Sequence, residues 1–530
     1  GTGHSQSIVL LGDGIENESP LWSDPKSGVQ AAFKNCSIKV HTVAIGPSQS
    51  SWRYLLQDIS QKACNGDGLA WNTSGGASSP TTASVQTNGF PDGLSNRLAD
   101  IYLSIVEEDT RDQRLWEATN NVTQDAYDVY QVNVPEGLPE VTWTLNWDIG
   151  TVELRLYDPN GDPVYSTDPR VEHLQDVTHD QYRIETPLAG VWQVEVHNIG
   201  NAPSSEYLAV LSGHSDVVLW LYFGLIPIDR AVGMVMPIHA ALADYDAIPG
   251  AVITATIMAP HEDLPIELRL QDDGHHDDGH ADDGLYGEFF HLGYPGSYTV
   301  KAIAKGYDNN GEPFERYLTR SFYVRPRAAY IYNAEDPARA DIAYAYSHLL
   351  ADNGFIPHLI PLDEITASTS FEDFELILIG PGTGDSDIWG PPDALNAIFE
   401  SNKPVIGLGE GGYAFFGQLG LAIGFPNGWH GNETDVYAVE PGSEVWDEPY
   451  PITIPQDQIV SIYTTTNQVG IDLPAPPDDV TLIGREINDS THYSIVQQTW
   501  RYLLWGFDGP PDAMTPTGKD LFVNLLWYME

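Results

Sequence analysis

At 530 residues the chain has room for about three to five domains. Apolar residues at 42% and aromatics at 11% exclude a disordered acidic tail. Seventy-five acidic against 24 basic residues give a net charge of −51, a field that repels nucleic acid and attracts divalent cations. The same acidity suits a solvated surface in a salty medium, so metal is needed only to explain local clusters. Cys36 and Cys64 allow one disulfide. Asn-x-Ser/Thr triplets at Asn17, Asn35, Asn72, Asn121, Asn432 and Asn488 matter only if the chain is exported.

The first elements alternate. SIVLLGDGIENESP reads as a buried strand and polar loop, and SIKVHTVAIG as a second buried strand. SGVQAAFKN, WRYLLQDISQKA and SNRLADIYLSIVEE have helical spacing. Strand–helix alternation implies a parallel sheet, but two parallel strands do not make a stable one alone. As an ordered set over residues 7–108, these segments resemble the second half of a von Willebrand factor A domain. In that family a divalent metal sits at the strand ends, held by an Asp-x-Ser-x-Ser loop, a threonine and the Asp of an Asp-Gly turn. Asp13 matches the last position, and the other ligands have no counterpart. The resemblance implies either a processed fragment completed by its own N-terminal segment or a half-domain packed elsewhere. Asp13 alone cannot hold a metal and otherwise caps a turn.

DAYDVYQVNV, EVTWTLNWD, TVELRLYDPNGDPV, QYRIETPLAGVWQVEVHN and SSEYLAVLSG are short segments separated by turns, the pattern of a β-sandwich. Trp143, Trp147 and Trp192 are expected in its core. The DPNG turn at Asp158–Gly161 and the strand GVWQVEV resemble the sandwich that follows the A domain in the calcium-activated chloride channel regulator family and its bacterial relatives. VVLWLYFGLIPIDRAVGMVMPI is broken by Asp229 and Arg230 after about a dozen residues, too short to span a bilayer. It reads as two buried strands, with no membrane span. They open a second sandwich of immunoglobulin or fibronectin type III kind, as that family's module order implies.

Within this sandwich lies QDDGHHDDGHADDGLYG, residues 271–287, where Asp-Asp-Gly returns every five residues. Calcium takes six to eight oxygens. Asp272, Asp273, Asp277, Asp278, Asp282 and Asp283 offer carboxylates, with glycines to turn the backbone. The loop is no EF-hand. It resembles the aspartate-rich hairpin loops of bacterial surface immunoglobulin-like domains, which implies calcium. His276 and His280 admit zinc as the second choice, because imidazole favours transition metals. The bland reading is a solvated acidic loop. With a metal, the loop is stapled against its own charge repulsion.

From Arg327 the pattern returns to α/β. AAYIYN, FIPHLIPL and FELILIGPGTG read as strands, and DPARADIAYAYSHLLADNG as a helix with Asp336 as N-cap, Pro337 in its first turn and Gly354 at its end. The order predicts a flavodoxin-like doubly wound parallel α/β domain. LIGPGTG, the elbow GLGEGGYAFF and the closing FDG…TGKDLFVNLLWY resemble the class I glutamine amidotransferase-like superfamily. Its catalytic members carry a nucleophile, usually cysteine, between the elbow glycines. The resemblance implies that Glu410 stands at that position. No cysteine follows Cys64, so thiol chemistry is excluded here. His430 and His492 are candidate triad remnants, and no second carboxylate is placed beside Glu410.

The expected organisation is multidomain α/β plus all-β. It comprises a partial von Willebrand A-type unit (1–110), β-sandwiches at 120–215 and 216–325, and the amidotransferase-like domain at 327–530. The expected function is an extracellular or cell-surface structural and adhesive protein, calcium-stabilised. Its expected partners are further copies, other surface proteins or its own N-terminal segment. The alternative is a secreted hydrolase acting through metal at His276 and His280 or through Glu410. Fold alone licenses no activity.

Overall fold

The computed structural model describes residues 7–12, 38–45, 53–64, 69–72, 93–226, 229–260 and 264–530. Asp13 and Cys36 lie outside them. Among the described residues the N-terminal unit has three parallel strands, not two, in the order Ser7–Gly12, Lys39–Ala44, Ala70–Asn72. Alternation along Lys39–Ala44 sends side chains to both faces. Val40 and Ala44 pack on Leu56 and Ile59 of the helix Arg53–Lys62, and Val43 joins Trp71, Ile101 and Ile105 on the other side. The third strand escapes the sequence reading because it is only three residues long.

Both sandwiches form. Trp143, Trp147 and Trp192 are buried in the core of the first. One nine-stranded sheet runs through both sandwiches. Its order is Ile266–Leu270, Val252–Met258, Gly296–Tyr307, Pro313–Val324, Gln113–Thr123, Ser204–Gly213, Glu140–Trp147, His179–Glu185, Val171–Asp176. The join is a single pair, Tyr317 with Arg114. Against this long sheet lie a three-stranded sheet in the first sandwich and one built on Val217–Phe223 and Val235–Asp244 in the second.

A single backbone pair does not hold two sandwiches together. The side chains around it do. Arg114 is 2% exposed. Its Nε donates to Glu107 at 3.1 Å, and its terminal nitrogens donate to Ser104 at 3.1 Å, Glu117 at 2.6 Å and Asp100. Asp100, Ser104 and Glu107 belong to the helix Leu94–Thr110, while Glu117 lies on the same strand as Arg114. The second Glu117 oxygen pairs with Lys301 of the second sandwich, itself 1% exposed. Next to this group Arg320 pairs with Glu108 and lies over the Trp71 ring. Helix, first sandwich and second sandwich thus share one buried ion cluster. Burial pushes the Glu107 carboxyl up against the pull of Arg114. Burial also raises Asp100, but Arg114 and Lys301 beside it outweigh this and hold its carboxyl low.

The C-terminal domain has the flavodoxin-type parallel order Ile356–Pro361, Arg327–Tyr332, Leu376–Ile379, Val405–Leu408, Tyr502–Trp505. The helix Pro337–Asp352 carries the expected cap, the Asp336 carboxylate accepting the Ala338 N–H at 2.9 Å. The sheet is mixed rather than all parallel. His492–Gln498 pairs antiparallel with Tyr502–Trp505 and begins an extension built from residues 428–498, bringing the sheet to eleven strands.

Removing Arg114 leaves Asp100, Glu107 and Glu117 buried against one another. Arg114→Leu is expected to cost about 3–5 kcal/mol, read as a lowered urea midpoint by tryptophan fluorescence. A loss under about 1 kcal/mol would show that the cluster does not hold the modules together.

Candidate functional site

Among the described residues, chemistry-bearing side chains gather at the elbow of the C-terminal domain and at the acidic histidine loop.

At the elbow, the strand Val405–Leu408 passes into the helix Gly409–Gln418. The residue in the left-handed turn is Gly409, at φ +47°, and not Glu410. A nucleophile is presented from that strained position in such turns, so the sequence-based assignment is one residue too late. The seat holds no side chain. A Cβ there would fall 1.8 Å from Asp508 Oδ1, so the Asp508 carboxylate fills the space a nucleophile would need. Asp508 is the second carboxylate that sequence reasoning did not place. It follows the strand Tyr502–Trp505, and its Oδ1 accepts the Glu410 N–H at 3.0 Å. Burial pushes the Asp508 carboxyl up.

Glu410 sits one step into the helix. Its Oε1 accepts the Ser386 N–H at 2.6 Å, and its Oε2 pairs with His430 Nε2. His430 is largely exposed. His492 is fully buried, with Nδ1 3.1 Å from Glu486 Oε1, and its ring meets Trp429. Trp429 and His430 are successive residues of one strand, so their side chains leave by opposite faces. The two histidines therefore belong to different clusters, and His492 is part of the packing of the antiparallel extension. The elbow gathers a carboxylate–imidazole pair and a raised carboxyl above the strand ends. It has the parts for moving a proton, and its turn residue, Gly409, carries no side chain.

The acidic loop joins the strands Ile266–Leu270 and Leu285–His291. Its six carboxylates do not converge on one point. Asp272 accepts the N–H groups of Asp283 at 3.0 Å and Gly284 at 2.9 Å. Asp283 accepts those of His280 at 2.9 Å and Leu285 at 3.0 Å. These carboxylates replace sheet hydrogen bonds within the loop. Asp277 and Asp282 adopt positive φ (59° and 63°), one at each pentapeptide step. Asp277 lies 3.9 Å from His239, and Asp282 and His280 are exposed. Among the described residues, Asp273, His276 and Asp278 bring one ligand atom each within 4.8 Å of one another. Sequence reasoning missed His239, which lies on the neighbouring strand Val235–Asp244 and carries no local signal.

Residues 252–324, which include this loop, match the model of the conditioned medium factor second Ig-like domain. No curated protein matches the chain. Among solved structures, a Thermoplasma acidophilum protein assigned to a GMP synthase is 14% identical. The alignment covers 39% of this chain and 94% of that one, with TM-score 0.26. The Bacillus licheniformis lipase BlEst2 in its propeptide form is 11% identical, over 60% of this chain and 80% of that one, with TM-score 0.26. A DUF4785 family protein of Legionella pneumophila is 11% identical, over 40% and 64%, with TM-score 0.27. Likenesses at this level carry no argument about chemistry.

The filled seat at the elbow predicts that Gly409→Ala destabilises the C-terminal domain. The backbone alone costs about 1–2 kcal/mol at positive φ, and displacing Asp508 adds to it. Asp508→Ala in the same chain is expected to return the second part, making the pair non-additive in a thermal-melt cycle. Simple additivity would mean that Asp508 does not fill the seat.

Proposed function

We propose that the chain is an extracellular or cell-surface structural and adhesive protein, stiffened by its shared sheet and buried ion cluster. In this reading it presents its surface to further copies or to other surface proteins. The amidotransferase-like domain serves binding rather than turnover. The observation that carries the proposal is the bare elbow, where Gly409 occupies the nucleophile's turn and Asp508 its space.

Further features support the reading. The relative matched at residues 252–324 is named for conditioned medium. Cys64 is disulfide-bonded, which fits an oxidising compartment. Among the described residues no helix is long and apolar enough to cross a membrane. A net charge of −51 keeps such a surface soluble and makes lateral association salt-dependent.

A second reading rests on one specific observation. Glu410, His430 and Asp508 place acid–base groups at the ends of parallel strands, where open α/β sheets bind ligands. As a hydrolase, the domain would use Glu410 to activate water, with His430 sharing the proton.

Sedimentation velocity over a concentration series, beside a screen with ester, peptide and glycoside substrates, separates the two. The surface reading expects mass rising above 58.3 kDa in a salt-dependent way and no turnover. Turnover abolished by Glu410→Gln at an unchanged melting temperature would overturn it in favour of the hydrolase.

A further inference from the structure

We infer that the acidic loop holds a zinc-class divalent ion through Asp273, His276 and Asp278, rather than calcium through its row of aspartates. The inference stands apart from the proposed function and rests on the loop's geometry.

Asp278 is the starting point. It is 0% exposed, and its Oδ2 accepts the Asp273 N–H at 2.8 Å and the Gly274 N–H at 3.1 Å. Its Oδ1 is equally buried and has no hydrogen-bond partner. A buried carboxylate oxygen without a partner is costly and rare. The same residue offers one of the three ligand atoms that lie within 4.8 Å of one another. A cation there is the partner that Oδ1 lacks.

The second ligand pair is already in contact. His276 Nδ1 lies 3.0 Å from Asp273 Oδ1. A metal would take the place of the proton between them. On the far side of the ring, His276 Nε2 is 3.7 Å from Glu288 Oε2. A carboxylate on the distal imidazole nitrogen is the usual outer partner of a metal-bound histidine. His239 borders the group, and its Nε2 is buried with no hydrogen bond.

The packing that creates this geometry depends on a missing side chain. Gly287 faces the loop, and a Cβ there would lie 2.6 Å from the His276 carbonyl oxygen, 3.1 Å from Asp278 Cβ and 3.2 Å from His239 Cδ2. Only glycine lets the loop close onto its strand at this point.

The donor set selects the ion. Calcium needs six to eight oxygens. Both oxygens of Asp272 and both of Asp283 accept loop N–H groups, Asp278 leaves only Oδ1 without a partner, and Asp273 Oδ1 also accepts the His275 N–H at 3.0 Å. One imidazole with two carboxylates suits zinc, with a fourth position left for water or a further donor.

The test is equilibrium dialysis of the chelator-stripped full chain against zinc and, separately, calcium, with bound metal counted by elemental mass spectrometry. One zinc per chain is expected, bound more tightly than calcium. His276→Gln and Asp278→Asn are each expected to weaken zinc by about ten- to a hundredfold or more. The asparagine oxygen still accepts the two loop N–H groups, so the stripped variant should melt with the stripped parent. If Asp278→Asn misfolds, His276→Gln decides alone. His280→Ala, outside the group, should bind zinc like the parent. No retained zinc, calcium held more tightly than zinc, or equal losses in His280→Ala and His276→Gln would each overturn the assignment.

Discussion

Buried ion pairs centred on one guanidinium join the first three modules of this chain. Arg114 stands on the strand that links the two sandwiches' common sheet, at its only backbone pair across the join. Its donors reach the helix Leu94–Thr110 and Glu117, and Glu117 passes the connection to Lys301. Taking such charges out of water costs several kcal/mol per ion, and an apolar replacement would often be as stable. What ions provide here is direction. Arginine's planar fork fixes where the helix lies over the sheet, and an apolar patch would let it slide. Glu206 adds a second constraint at the helix start, accepting the Gly93 N–H at 2.8 Å and the Asn96 amide at 3.0 Å. The helix and the two sandwiches are therefore set against one another at fixed angles by buried ions.

The two chemical sites take their character from local geometry instead. The acidic loop lies in the second sandwich and is shaped by its own carboxylates. The elbow lies in the C-terminal domain, where the strand Val405–Leu408 passes into the helix Gly409–Gln418. At both places one glycine decides what is possible. Gly409 leaves the turn bare and lets Asp508 in, whereas Gly287 lets His276 and Asp278 approach their strand. Neither effect follows from composition.

The readable features in the sequence were the local ones. Asp336, Pro337 and Gly354 announce their helix because capping depends on residues a few positions apart. The strands Arg327–Tyr332 and Leu376–Ile379 show as apolar runs because both their faces are covered. The extension at 428–498 does not show, since its strands are three to seven residues long and proline-rich segments interrupt them. GLGEGG has glycines on both sides of the glutamate, so spacing does not reveal which residue takes the left-handed turn. In the loop, the motif shows where carboxylates cluster, but backbone conformation decides which ones serve N–H groups and which converge. The Arg114 cluster is invisible in principle: Glu117 and Lys301 are 184 residues apart and meet only in the fold.

The most direct test of the fixed-angle account is native-state hydrogen exchange of the full chain, comparing the parent with Arg114→Leu peptide by peptide. If the cluster unites the modules, the amides of Leu94–Thr110 in the parent exchange with the same opening free energy as those of Gln113–Thr123 and Gly296–Tyr307. In the variant the helix then opens first and alone. A helix that already exchanges independently in the parent, or that stays coupled in the variant, would contradict the account.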